Sequence, residues 1–180
     1  KNLLGKLKEM GTKHEFYVDS SAKAYDVYFW GDNKWRTVIV TGERGGGNYY
    51  FSVDVTNPLT NPDNPEILWE LTDTNMGMTW SRPEIGMVKV DGQAKFVAFV
   101  GGGYAEKTYD DIGNYFYAID IEAGKILENG KGDKAKFKVG SDPKNRVVAA
   151  PIAFDANEDG LIDYVYFGDI QGTLWKVNVT

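Results

Sequence analysis

Three six-residue stretches of the chain repeat one another: Tyr50-Phe51-Ser52-Val53-Asp54-Val55, Phe116-Tyr117-Ala118-Ile119-Asp120-Ile121 and Leu174-Trp175-Lys176-Val177-Asn178-Val179. In each, one face carries an aromatic and two β-branched residues, and the other carries small or polar groups. That period of two is the mark of a half-buried strand. The spacing is 66 residues from Asp54 to Asp120 and 58 from Asp120 to Asn178. A second strand, apolar at nearly every position and ending in glycine, precedes each: residues 38–42, 97–101 and 164–168. Apolarity on both faces predicts cover on both faces. Further upstream, Pro83-Glu84-Ile85-Gly86-Met87-Val88 resembles Pro151-Ile152-Ala153-Phe154, and fourth strands are predicted at residues 67–71 and 125–127.

Sheets of up to four strands recurring about every 60 residues predict an all-β chain made of roughly three propeller blades. A β-sandwich whose strands resemble one another by composition is the competing fold. Three blades are too few to close a ring, which takes four to eight. The chain therefore reads as a partial β-propeller. Only the start reads as helix: Leu3, Leu4 and Leu7 fall on one side, lysines lie between, and Gly11 follows as a stop. Residues 1–13 are thus expected to be a helical lead-in or linker and residues 14–180 the propeller part. His14, the only histidine, is expected to open a strand in a structural role.

Composition narrows the function. A length of 180 residues suits one domain with a real core. A net charge of −6 speaks against nucleic acid or an anionic membrane as the main partner. With no cysteine, the chain has no disulfide, zinc-thiolate site or thiol nucleophile. No apolar run is long enough to span a membrane as a helix. The start is Lys1 rather than Met and lacks an apolar leader segment, so the expectation is an excised piece of something larger.

One motif carries chemistry. Asp155-Ala156-Asn157-Glu158-Asp159-Gly160-Leu161-Ile162-Asp163 reads D-x-N-x-D-G-x-x-D. Calcium takes six to eight oxygens at about 2.3–2.6 Å, and side-chain oxygens at alternate positions converge only if the chain curls tightly. Gly160 supplies the turn. The ligands would be Asp155, Asn157, Asp159, the Leu161 carbonyl and Asp163. Position 12, which an EF-hand fills with a bidentate Glu, holds Tyr166, and the flanks read as strands. The prediction is a Ca2+ loop joining two strands of a blade. An acidic Asx-type turn without metal, and a magnesium site, are the alternatives.

Other motifs are weaker. The loop Gly42-Glu43-Arg44-Gly45-Gly46-Gly47 and the run Gly101-Gly102-Gly103 lack the continuation of a phosphate or dinucleotide cradle and read as tight turns. Loops at residues 56–66 and 105–114 are placed where binding specificity usually resides, but name no ligand. Trp30, Trp35, Trp69, Trp80 and Trp175 are open to two readings, a carbohydrate platform or blade packing.

Taken in order, these stretches resemble the C-terminal β-propeller domain of the PilY1/PilC family, tip-associated proteins of bacterial type IV pili. The resemblance runs from His14-Glu15-Phe16-Tyr17-Val18-Asp19 through residues 35–42, 45–55, 67–70, 77–83 and 114–120. Its most specific part is the acidic loop followed by Gly168-Asp169-Ile170-Gln171-Gly172-Thr173-Leu174-Trp175. The resemblance implies a modified seven-bladed propeller of which this chain is less than half. It also implies an exported parent at the periplasm, outer membrane, cell surface or pilus tip. Implied roles are pilus biogenesis, opposition to retraction, and surface attachment, switched by calcium at Asp155, Asn157, Asp159, the Leu161 carbonyl and Asp163. Implied partners are pilus subunits (minor pilins), host or abiotic surfaces, and the remaining blades. No catalytic residues come with it, and the Arg-Gly-Asp sequence of some members is absent here. Two other functions share features with the chain. A quinone-dependent dehydrogenase propeller would normally bring a vicinal Cys-Cys, and an integrin- or lectin-like calcium module would normally repeat the loop in several blades.

Overall fold

The computed structural model describes residue 11 and residues 14–59, 65–106 and 111–179, and over these the chain forms three antiparallel sheets. The first is a meander of β1 (Lys23–Phe29), β2 (Lys34–Gly42), β3 (Tyr50–Asp54) and β4 (Glu66–Leu71). The second consists of β5 (Glu84–Val90), β6 (Gln93–Gly101), β7 (Tyr115–Asp120), β8 (Lys125–Ile126) and β9 (Lys136–Lys138). The third is β10 (Ile152–Phe154), β11 (Tyr164–Gly168) and β12 (Leu174–Asn178). The first strands of the sheets converge: β5 packs beside both β1 and β10, and Lys23 reaches across to Glu84 at 2.9 Å. The predicted N-terminal helix and the middle of the proline-rich loop lie outside the described residues.

Each predicted strand from residue 38 onward is present. Two strands were not foreseen. β1 was missed because its sequence, Lys-Ala-Tyr-Asp-Val-Tyr-Phe, mixes charge into both faces. β9 shares the outer edge of β7 with β8, taking Tyr115–Tyr117 while β8 takes Ile119 and Asp120. The segment from His14 to Asp19 forms no strand. His14 instead meets Phe16 edge-on at 4.8 Å, and Phe16 lies against Gly45.

The expected half-burial of the repeated strands needs correction, and the reason is the stacking of the sheets. One core, with Val27, Val38, Tyr50, Tyr117, Ile119 and Ile121, fills the space between the first and second sheets. Another, with Val97, Phe99, Phe116, Val147, Val165 and Phe167, fills the space between the second and third. The second sheet is therefore covered on both faces, and β7 is buried from Phe116 to Asp120. Phe116 lies flat between the Phe99 and Phe167 rings, 6.2 and 4.5 Å away.

The equivalent face points the same way round in every sheet. Tyr117, Ile119 and Ile121 face the first sheet, and Trp175, Val177 and Val179 face the second. Their counterparts Phe51 and Val53 face away from the second sheet and are only half-buried, whereas Tyr50 and Ser52, on the other face of β3, are fully buried. Repeated sheets stacked face to back around a common inner edge are propeller blades.

The repeat extends to charge. Asp54 on β3 holds Arg36 of β2 at 2.7 Å, and Asp120 on β7 holds Lys95 of β6 at 2.7 Å. Burial drives the Asp54 carboxyl upward, but hydrogen bonds from Thr56 and Arg36 outweigh it, and the group stays below its ordinary value. In the third blade the position is Asn178.

Candidate metal-binding loop

The acidic segment is the β10–β11 turn, the counterpart in the third blade of the Asp91–Gly92 turn in the second. Antiparallel pairing of Phe154 with Tyr164 brings the two ends of the loop together, and Asp163 N–H donates to the Phe154 carbonyl at 3.0 Å. Gly160 has a φ of +87°, as the motif requires, and Glu158 also turns left-handed at +62°.

Within the loop the predicted ligands are bonded to one another's backbone. The Asp155 carboxylate accepts from Gly160 N–H at 2.7 Å and from Asp159 N–H at 3.3 Å. Asn157 Oδ1 accepts from the same Asp159 N–H at 3.0 Å, and Asp159 Oδ1 accepts from Leu161 N–H at 2.8 Å. Asp163 Oδ2 accepts from Ala156 N–H at 2.8 Å, across the mouth of the loop. The curl is thus present, with its carboxylate and amide oxygens bonded to the loop's own N–H groups. Among the described residues no group of three or more acidic or histidine side chains is gathered closely enough to hold a metal ion. The donor set is nonetheless that of a hard cation: carboxylate, amide and carbonyl oxygens with no sulfur or imidazole.

A residue the motif does not name ties the loop to the next blade. Ile162 N–H donates to the Met87 carbonyl of β5 at 2.8 Å, and its side chain covers Gly86, where a Cβ would stand 2.4 Å from Ile162 Cγ1. The isolated glycine inside the apolar run of β5 was the available sign of a close approach.

The stretch that follows is structural. Asp169 is buried, and its carboxylate accepts from Gln171, Thr173 and Trp175 Nε1 and from Asn145 Nδ2. Desolvation pushes its carboxyl upward, but these donors prevail and hold it below the usual range. The glycine-rich turns are equally self-contained. Glu43 and Arg44 N–H groups donate to Thr79 Oγ1, Gly45 N–H to Asp19, and Gly101 N–H to Ser81 Oγ. In the 105–114 connection, Gly113 and Asn114 are buried at the seam with Asn75 and Val147 rather than displayed on a surface loop.

The tryptophans divide. Trp69 packs on Gly124 and donates Nε1–H to the Ile121 carbonyl at 2.8 Å, and Trp175 is held by Asp169. Trp80 lies under the Arg44 guanidinium, 4.3 Å from its ring. Trp30 and Trp35 are 40% and 62% exposed.

Comparison with known proteins agrees with this architecture. The family model described as the PilY1 beta-propeller domain matches residues 3–180. A type IV pilus biogenesis factor PilY1 homolog of Xylella fastidiosa is 31% identical over 184 residues, which is 98% of this chain and 12% of that protein. The type IV pilus biogenesis factor PilY1 of Pseudomonas aeruginosa is 29% identical over 182 residues, 99% of this chain and 14% of that protein. The crystal structure of the Pseudomonas aeruginosa PilY1 C-terminal domain superposes with a TM-score of 0.70 at 29% identity. That match covers 97% of this chain and 33% of the solved one. The chain thus spans only 12 to 14% of the length of these two curated relatives.

Proposed function

The chain belongs to the PilY1 β-propeller family, and from that premise we propose that it is a calcium-binding part of the propeller of a type IV pilus biogenesis factor and tip adhesin. Its parent acts at the cell surface or pilus tip with pilus subunits such as minor pilins and with host or abiotic surfaces. Calcium there regulates pilus extension against retraction, and attachment. The chain contributes binding surface and no catalysis. Among the described residues no helix is long and apolar enough to cross a membrane.

The observation that carries the calcium reading is the D-x-N-x-D-G-x-x-D turn, curled at Gly160 with its side-chain oxygens accepting from the loop's own amides. Asp155, Asn157, Asp159, the Leu161 carbonyl and Asp163 would hold the ion, which would supply positive charge to a segment of four carboxylates, three of them ligands. Each of these three carboxylates already accepts from a loop N–H group and has lone pairs left that could serve a cation. Bound calcium at 100 times its Kd would stabilise the folded chain by about 2.7 kcal/mol.

The test is a thermal melt in millimolar calcium and in excess chelator, beside Asp159→Ala. The expected outcome is a calcium-specific rise in Tm that the variant loses. An equal rise in the variant would remove the loop as the site, and no rise in either would make it an acidic turn.

A further inference from the structure

Between the first two blades, where the β1–β2 turn meets the β7–β8 turn, lies a cleft of about 420 Å3. This volume is within the range of small-molecule sites. One side is aromatic. The Trp30 ring stands 5.8 Å from Phe96 at an angle of 32°, and Tyr28 meets Trp30 edge-on at 5.4 Å. The other side is polar, with Gln93, Lys95, Asp120 and Glu122.

Both sides are held rigid by bonds between the blades or within the second. Glu122 of the second blade accepts the N–H of Trp30 at 3.1 Å and of Gly31 at 2.6 Å, fastening the turn that carries the indole. Lys95 Nζ donates to Asp120 Oδ2 at 2.7 Å, and Asp120 Oδ1 accepts from Ala123 N–H at 3.0 Å. These groups keep bonding capacity: the ammonium has two further protons, and each carboxylate oxygen has a second lone pair. Among the described residues, those that line the cleft all belong to the first two blades.

This arrangement selects its occupant. A purely apolar group would strip water from the Lys95–Asp120 pair and return nothing. A cation would sit against the Lys95 ammonium, and an anion against two carboxylates. A neutral molecule with an apolar C–H face and hydroxyls along its edge satisfies both sides. We propose that the cleft is a carbohydrate subsite, in which a neutral pyranose stacks on Trp30 and Phe96 and bonds through its hydroxyls to Lys95, Asp120, Glu122 and Gln93. The site is separate from the acidic loop and stands or falls without the calcium reading.

The test is saturation-transfer NMR and intrinsic fluorescence titration of the 180-residue chain. The probes are the methyl glycosides of glucose, mannose, galactose and N-acetylglucosamine, with tetramethylammonium as a cationic probe. The four differ in the orientation or substitution of single hydroxyls, so the preferred glycoside identifies the hydroxyl pattern that the polar wall reads. The expected result is binding of at least one glycoside in chelator as in calcium. Trp30→Ala should weaken it roughly 10-fold or more, Trp30→Phe should weaken it less, and Leu59→Ala, at a 94% exposed position, should leave it unchanged. Binding of tetramethylammonium alone, binding of no glycoside, or a Trp30→Ala chain that melts cooperatively and still binds as before would each overturn the proposal.

Discussion

Gly124 and Trp69 are matched as a pair, and neither is replaceable alone. Gly124 has a φ of +63°, and a Cβ there would stand 2.6 Å from the Trp69 side chain. Gly124→Ala therefore combines left-handed backbone strain with displacement of a ring that joins two blades, an expected loss of about 2–4 kcal/mol in urea unfolding. Trp69→Phe keeps a ring over the glycine but gives up the bond to the Ile121 carbonyl, and should cost less. The sequence places Trp69 in a predicted fourth strand and leaves its role open between sugar platform and packing. Composition cannot separate these, because an indole has the same pattern whether its Nε1–H finds a carbonyl of the next blade or water. Only the meeting of residues 69 and 121–124 decides it.

At the scale of elements, strands with an unbroken apolar run, such as β2, β6 and β11, were legible as strands. The cover expected on both faces fails in β11, where only Val165 and Phe167 are buried because no fourth sheet among the described residues covers the other face. β1 and β9 were not legible, since an edge strand needs few apolar residues and carries charges that blur the period. The acidic loop was legible in its turn at Gly160 but not in its anchorage: nothing in D-x-N-x-D-G-x-x-D indicates that its eighth residue, Ile162, seats on Gly86 of another blade. That contact sets an expectation. Ile162→Ala should loosen the docking of the third sheet before the rest of the chain, by about 1–2 kcal/mol for a half-buried aliphatic side chain. Native-state hydrogen exchange would show it as faster exchange in β10–β12 with β6 and β7 unchanged. Uniform acceleration across all three sheets would mean that the blades unfold as one unit.

For the molecule as a whole, the stacking order was foreseen from the repeat, whereas the burial of each face was not. The same sequence pattern is fully buried in the middle sheet and half-open in the outer two, because cover comes from neighbours rather than from the strand itself. The outer sheets accordingly expose apolar side chains: Ile67 in the first sheet, and Ile152, Phe154 and Leu174 in the third, between 52% and 74% exposed. These two surfaces differ, and they correspond to opposite sides of one blade-to-blade joint. A surface that accepts its unlike counterpart makes a head-to-tail association, which closes into a ring only if the rotation permits and otherwise continues. The isolated chain should therefore sediment as a concentration-dependent series rather than as a two-fold dimer, and Leu174→Asp should shorten that series without lowering Tm. Such a polarity turns the repeat into a direction: each copy added would leave behind the same open end it had just covered.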